Sequence, residues 1–190
     1  MNVVIRTDIS MPALAAKIAA LKDKSGLHRT MGMGVEKLVI RHLREVKVPQ
    51  GNRLGAPSTG FWQKAIASVV GTSGDARASV RITHRGAAMQ YYGGTVRPVR
   101  ARALTIPIDA EAHGKTVGDF RAAGVEIFKL KGKDLLCRKV GDEVKPLFIL
   151  RANAIIDNHP DVLPTRDELA EAAVKAGRAH MRGTKEVAGG

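Results

Sequence analysis

A chain of 190 residues with 44% hydrophobic content is long enough to bury a core, and its single cysteine, Cys137, excludes an intramolecular disulfide and a thiolate zinc cluster. Four Phe, one Trp and two Tyr leave few large rings with which to build a deep ligand pocket. Lys and Arg number 31 against 18 Asp and Glu, a formal charge of +13 that points to polyanionic surroundings: nucleic acid, an acidic protein surface or membrane headgroups.

The start, MNVVIRTDISMPALAAK, lacks the basic-then-apolar layout of a secretory signal, and no window reaches the ~20 apolar residues of a membrane span. A soluble protein made inside the cell is therefore expected. NVVIRT at residues 2–7 reads as a strand. Met11, Leu14, Ile18 and Leu21 then fall at helical spacing after Ser10, a suitable N-cap, which predicts a helix over 11–23. Gly26 interrupts. A second stripe follows, carried by Met31, Val35, Leu38, Val39, Leu43 and Val46, with Glu36, Lys37, Arg41 and Arg44 on the other face, and this helix ends before Pro49.

VPQGNRLGAPSTG is a loop by composition. Behind it Phe61, Ala65, Ile66 and Val69 share one side of a third helix, expected to end near Gly71. In ARASVRIT the period changes, and Ala78, Val80 and Ile82 alternate with polar neighbours as in a half-buried strand. ALTIPI is a strand with Pro107 at an edge or an end. VEIFKL, DLLCRKV and KPLFILRA read as a meander joined by the turns KGK and GDE. Finally, LPTRDELAEAAVKAGRAHM carries a capping box, Thr165 with Glu168, at the head of a fourth helix. The order of elements is α+β: helices at both ends of a small, mainly antiparallel sheet. Length favours a single domain over residues 1–182, with 183–190 as a flexible tail.

Most motifs have a plain reading. GMGVEK, residues 32–37, neither follows a strand nor completes a nucleotide loop, so its glycines are assigned to helix packing. The six histidines lack metal-ligand spacing, and DAEAHGK offers at most a carboxylate beside His113. No nucleophile elbow is present, and Cys137 in mid-strand reads as filler. No catalytic, cofactor-binding or metal-binding residue is assigned. Trp62 is read as a core or interface anchor.

The stretch AAMQYYGGTVRPVRARALTIPID, residues 87–109, holds both tyrosines. Gly93-Gly94 suits the positive φ of a tight hairpin between Met89 and Tyr91 on one side and Val96 on the other. On that reading Arg97, Arg100 and Arg102, with Arg85 nearby, form a basic ribbon with few acids at hand. Two tyrosines are too few for a base-stacking platform, and there is no helix-turn-helix, so sequence-specific DNA recognition is not expected.

The order RLGAPSTGFWQKAIASVV, VRITHRGAAMQYYGGTVRPVRARALTIPIDAEAHGKTVGDF, the LKGKDLLCRKVGDEVKPLFILRANAI meander and LPTRDELAEAA resembles the virion-morphogenesis, or tail-completion, proteins of Mu-like tailed phages and prophages. The resemblance covers residues 35–182. Its most specific part runs from Tyr91-Tyr92-Gly93-Gly94-Thr95 through Leu104-Thr105-Ile106-Pro107 to Ala112-His113-Gly114-Lys115. It implies a structural protein of the neck or upper tail, localised in the virion and without catalytic residues. Such a protein closes into a ring, taken as a hexamer, with copies of itself and with neck, tail-tube or connector proteins as partners. Tyr91, Tyr92, Gly93, Gly94 and Trp62 are then subunit-interface candidates on a hairpin arm over 89–108, and residues 109–124 a loop free to order on assembly. Arg85, Arg97, Arg100 and Arg102 face passing DNA or an acidic partner. The other class of function compatible with the charge is non-specific nucleic-acid binding.

Overall fold

A computed structural model describes residue 18 and residues 21–183; the predicted strand over 2–7, most of the predicted helix over 11–23 and the tail from residue 184 onward lie outside the described residues. The fold is α+β, and the chain divides into two compact units that interleave in sequence. Among the described residues no helix is long and apolar enough to cross a membrane.

Of the described residues, the first unit takes 18, 21–42, 68–82 and 164–183. Its central helix, α1 (Lys24–His42), starts at Asp23, whose carboxylate accepts the Gly26 N–H at 2.9 Å. Gly26 therefore sits inside the capped first turn and does not interrupt the helix. The two glycines of GMGVEK act on different neighbours. A Cβ at Gly32 would lie 2.9 Å from the Ala78 Cβ, whereas one at Gly34 would lie 2.6 Å from the Ala176 Cβ and 3.0 Å from the Ala172 carbonyl oxygen. Gly32 thus lets a two-stranded ribbon approach, and Gly34 lets the C-terminal helix approach.

That ribbon is β1 (Val69–Ser73) and β2 (Ala78–Ile82), antiparallel with Val69 opposite Ile82. Val69 and Val70 belong to this strand and not to the preceding helix, because the β-branched pair finds cross-strand partners on β2. The C-terminal helix is capped as expected: Glu168 N–H donates to the Thr165 hydroxyl at 3.3 Å, and the Glu168 carboxylate accepts the Thr165 N–H at 2.8 Å. That helix (Arg166–Gly183) runs antiparallel to α1, since Gly34 meets Ala172 and Ala176 while Thr30 meets His180.

The second unit comprises residues 43–67 and 83–163. It opens on a π-helical turn (Leu43–Lys47), closed by Val48 N–H donating to the Leu43 carbonyl at 3.0 Å. The wider turn shifts the helical phase, so Leu43 and Lys47 are buried while Val46, expected on the apolar stripe, is 41% exposed. After the predicted loop comes α2 (Phe61–Ala67). The meander forms as expected in a four-stranded antiparallel sheet of order β4-β7-β6-β5, built from β4 (Leu104–Pro107), β5 (Phe128–Lys129), β6 (Leu135–Val140) and β7 (Glu143–Arg151). Pro107 ends the edge strand β4, where a missing N–H costs nothing. Gly141, φ 61°, takes the first central position of the two-residue turn between Val140 and Glu143.

A bulge decides the core. Leu136 pairs with Phe148 and Cys137 with Pro146, leaving Leu147 as the extra residue, so the consecutive Leu147 and Phe148 are both buried. They pack with Ala112, Phe120 and Ile127, and Phe120 meets Phe148 edge to face at 5.9 Å. Phe120 comes from α4 (Val117–Ala122), headed by a capping box of Thr116 with Asp119. Residues 109–124 are accordingly ordered within the chain, with a 3-10 turn (Ala110–Ala112) before α4, and are not a loop awaiting assembly. Cys137 is buried in the same sheet as the filler expected.

Candidate interaction surface

The stretch read as a hairpin is built differently. Residues Arg85–Tyr92 form a helix, α3, whose N-cap His84 side chain accepts the Ala87 N–H at 3.2 Å. Gly93 ends it with φ 70°, donating its N–H to the Met89 carbonyl at 2.9 Å. A glycine of positive φ serves a helix C-terminus as well as a hairpin turn, and here the first use wins. Gly94, φ 142°, then opens β3 (Gly94–Val96), which pairs with no local strand but with the distant β8 (Ala154–Ile156). The expected arm over 89–108 is thus replaced by a helix end, a short ribbon, an irregular segment over 97–103 and the edge strand β4.

Around this ribbon the chain exposes apolar side chains. Ile155, opposite Thr95 in the register, is 77% exposed; Tyr92, before the Gly pair, is also 77%; and Val99, after the ribbon, is 95%. Tyr91 is half-buried and holds Tyr92 edge to face at 4.8 Å. Arg97, Arg100 and Arg102 are exposed in the segment leading to β4, and Arg85 is exposed at the start of α3. None of the four forms an ion pair among the described residues. The sequence-predicted candidates Tyr91 to Gly94 and Arg97, Arg100 and Arg102 thus lie on either side of β3 along the chain, whereas Val99 and Ile155 were not singled out. Val99 left one signal, an aliphatic residue inside RPVRAR; Ile155 left none, since its exposure depends on which face of β8 is covered.

Trp62 lies elsewhere in the same unit, half-buried and edge to face with Phe61 at 4.8 Å. It lines an open cleft of about 400 Å³ with Gln50, Thr59, Gln90 and His113.

Some cations of this unit are neutralised locally. Arg138 meets Glu111 at 2.8 Å, and Lys145 meets Asp109 at 3.1 Å and Glu111 at 3.4 Å. The Glu111 N–H, donating to Asp109 at 2.9 Å, and then Lys145 hold the Asp109 carboxyl below its ordinary range. In turn the hydrogen bond to Asp109 raises Lys145. Lys47, buried, pairs with Asp161, whose carboxyl that hydrogen bond lowers. Arg97, Arg100 and Arg102, unlike these, keep their charge available to a partner. Among the described residues no group of three His, Cys, Asp or Glu side chains is placed to hold a metal ion.

No protein-family model matches the chain, no curated protein matches its sequence, and no solved structure matches its fold.

Proposed function

We propose that this chain is a non-enzymatic assembly protein of a phage neck or upper tail, working as a ring of copies that completes or joins the tail to the head, in the virion. The observation that carries the reading is the surface around β3 and β8: Tyr92, Val99 and Ile155 expose apolar area beside Arg97, Arg100 and Arg102, which have no acidic partner among the described residues. An exposed apolar group rimmed by unpaired cations suits association with other protein surfaces and costs stability if left in water. The kind of assembly is what the resemblance of the run from Tyr91 to Lys115 to tail-completion proteins implies. On this reading the basic segment faces either neighbouring acidic subunits or DNA passing along the ring axis, held through phosphates without base contacts.

The second reading, non-specific nucleic-acid binding, is favoured by the +13 charge and the same arginines. Negative-stain microscopy and light scattering of the purified protein separate the two. Rings whose formation is lost on Val99→Asp or Ile155→Asp support assembly. A monomer that binds duplex DNA with a steep salt dependence supports the second reading instead. In a lysate, loss of the gene is expected to leave DNA-filled heads beside unjoined tails; complete virions would overturn the assignment.

A further inference from the structure

The antiparallel pair formed by α1 and the C-terminal helix leaves a groove of about 440 Å³ along one side. Its floor is small and apolar. Gly34, Ala172 and Ala176 bring the two backbones together, and Leu38 extends the floor along α1. Met33 lies in the groove 45% exposed, a flexible thioether that the described residues of this unit leave partly uncovered. The rim is cationic on both sides. Lys37 and Arg41, four residues apart on one face of α1, stand opposite Lys175 of the C-terminal helix, all three exposed. None of the three has an ion pair among the described residues. The acid felt by Arg41, Glu168, already spends its carboxylate on the Thr165 cap.

We propose that this groove receives an acidic amphipathic helix of a partner protein. Two packed helices offer a third its natural seat, where ridges of side chains drop between theirs. An apolar stripe would cover Met33, Leu38 and the alanines, and Glu or Asp flanking that stripe would meet Lys37, Arg41 and Lys175. A nucleic acid would use the cations but gain nothing from the floor, since phosphate contact needs no apolar surface. This inference stands apart from the virion reading and uses a different surface.

The test is fluorescence anisotropy of the full chain with a panel of labelled peptides carrying Leu at i, i+3, i+4 and i+7 and Glu on both flanks. The controls are scrambles of the same composition, versions with Lys in place of Glu, and a short DNA duplex. At least one acidic amphipathic peptide should bind about tenfold or more tighter than its scramble. Met33→Asp, which puts a carboxylate into the floor, should weaken it by about tenfold or more. The pair Lys37→Glu with Lys175→Glu should weaken the acidic peptide and strengthen its Lys-flanked version; both variants change exposed side chains, and circular dichroism checks their fold. Should Met33→Asp fail to fold, the charge-reversal pair decides alone. The proposal is overturned if scrambles bind as well as stripes, if no peptide binds by about 1 mM, or if the duplex binds through these residues while the peptides do not. Because the readout is peptide binding, its failure leaves the assembly reading standing, and failure of ring formation leaves this one.

Discussion

Gly93 lies so close to Asn158 that a Cβ on it would stand 2.8 Å from the Asn158 nitrogen and 2.9 Å from the Ile156 carbonyl oxygen. The contact joins the end of α3 to β8 through backbone atoms, which cannot swing aside. With φ at 70° the position is also one that L side chains rarely adopt. Gly93→Ala should therefore destabilise the protein by about 2 kcal/mol or more. At Gly94, φ 142°, the neighbour is the end of the flexible Met89 side chain at 3.2 Å, so Gly94→Ala should cost less. Urea unfolding of the two variants checks the order; equal losses would remove the role given to the Asn158 contact.

Changing Arg97, Arg100 and Arg102 to Glu together should leave the melting temperature within a few degrees of the parent, because exposed charges without partners contribute little to stability. Association with copies of itself, or with DNA, should be lost. Circular dichroism paired with light scattering reads both; an unfolded triple variant would mean that the arginines are structural.

Asp161→Asn should destabilise by about 1–3 kcal/mol, since it strands the ammonium of Lys47, which is 3% exposed. Lys47→Met should cost less than Asp161→Asn, because it removes the buried charge and leaves only Asp161, whose side chain is 61% exposed to water. The Asp161 carboxyl is held below its ordinary 3.8, first by the hydrogen bond from Lys47 and against the effect of burial. Its contribution is thus complete above the unfolded value and lost as pH falls through the lower folded value. Across about pH 2 to pH 5 the parent should lose more stability on acidification than Asp161→Asn. Parallel acid dependence in the two proteins would show that the pair is not coupled to folding.

Gly34→Ala should loosen the first unit, costing about 1–3 kcal/mol, because the new methyl meets Ala176 and the backbone of Ala172. Thr165→Ala, at the start of the C-terminal helix, should cost about 1 kcal/mol by freeing the cap. Hydrogen exchange along the C-terminal helix distinguishes them: the first variant opens the middle of the helix and the second frays its start. A Gly34→Ala protein as stable as the parent would contradict the close approach.

The α+β class, the meander of β5, β6 and β7, the edge position of Pro107 and the Thr165 capping box were legible in the chain itself, for one physical reason. Each depends on residues a few positions apart: alternation over a strand, a turn of fixed length, a hydroxyl and a carboxylate three residues on. The glycines of GMGVEK read as packing positions from the sequence, although only the fold distinguishes Gly32, against Ala78, from Gly34, against Ala176. The arginine segment could also be picked out as a surface, since charge without nearby acid reads directly from the letters.

The rest turned on partners far away in sequence. Gly93 and Gly94 announced positive φ, but whether they close a hairpin or end a helix was settled by Ile156 and Asn158, some sixty residues on, whose backbone leaves β3 a partner only in β8. Likewise the burial of Lys47 in place of Val46 follows from one widened helical turn and from Asp161 waiting beside it. The pairing of Leu147 with Phe148 in the core follows from a bulge that alternation does not encode. By itself the sequence determined local geometry and the sign of the surface. Which glycine, lysine or isoleucine faces a neighbour and which faces water was decided by tertiary contacts, because burial is a property of what covers a residue and not of the residue alone.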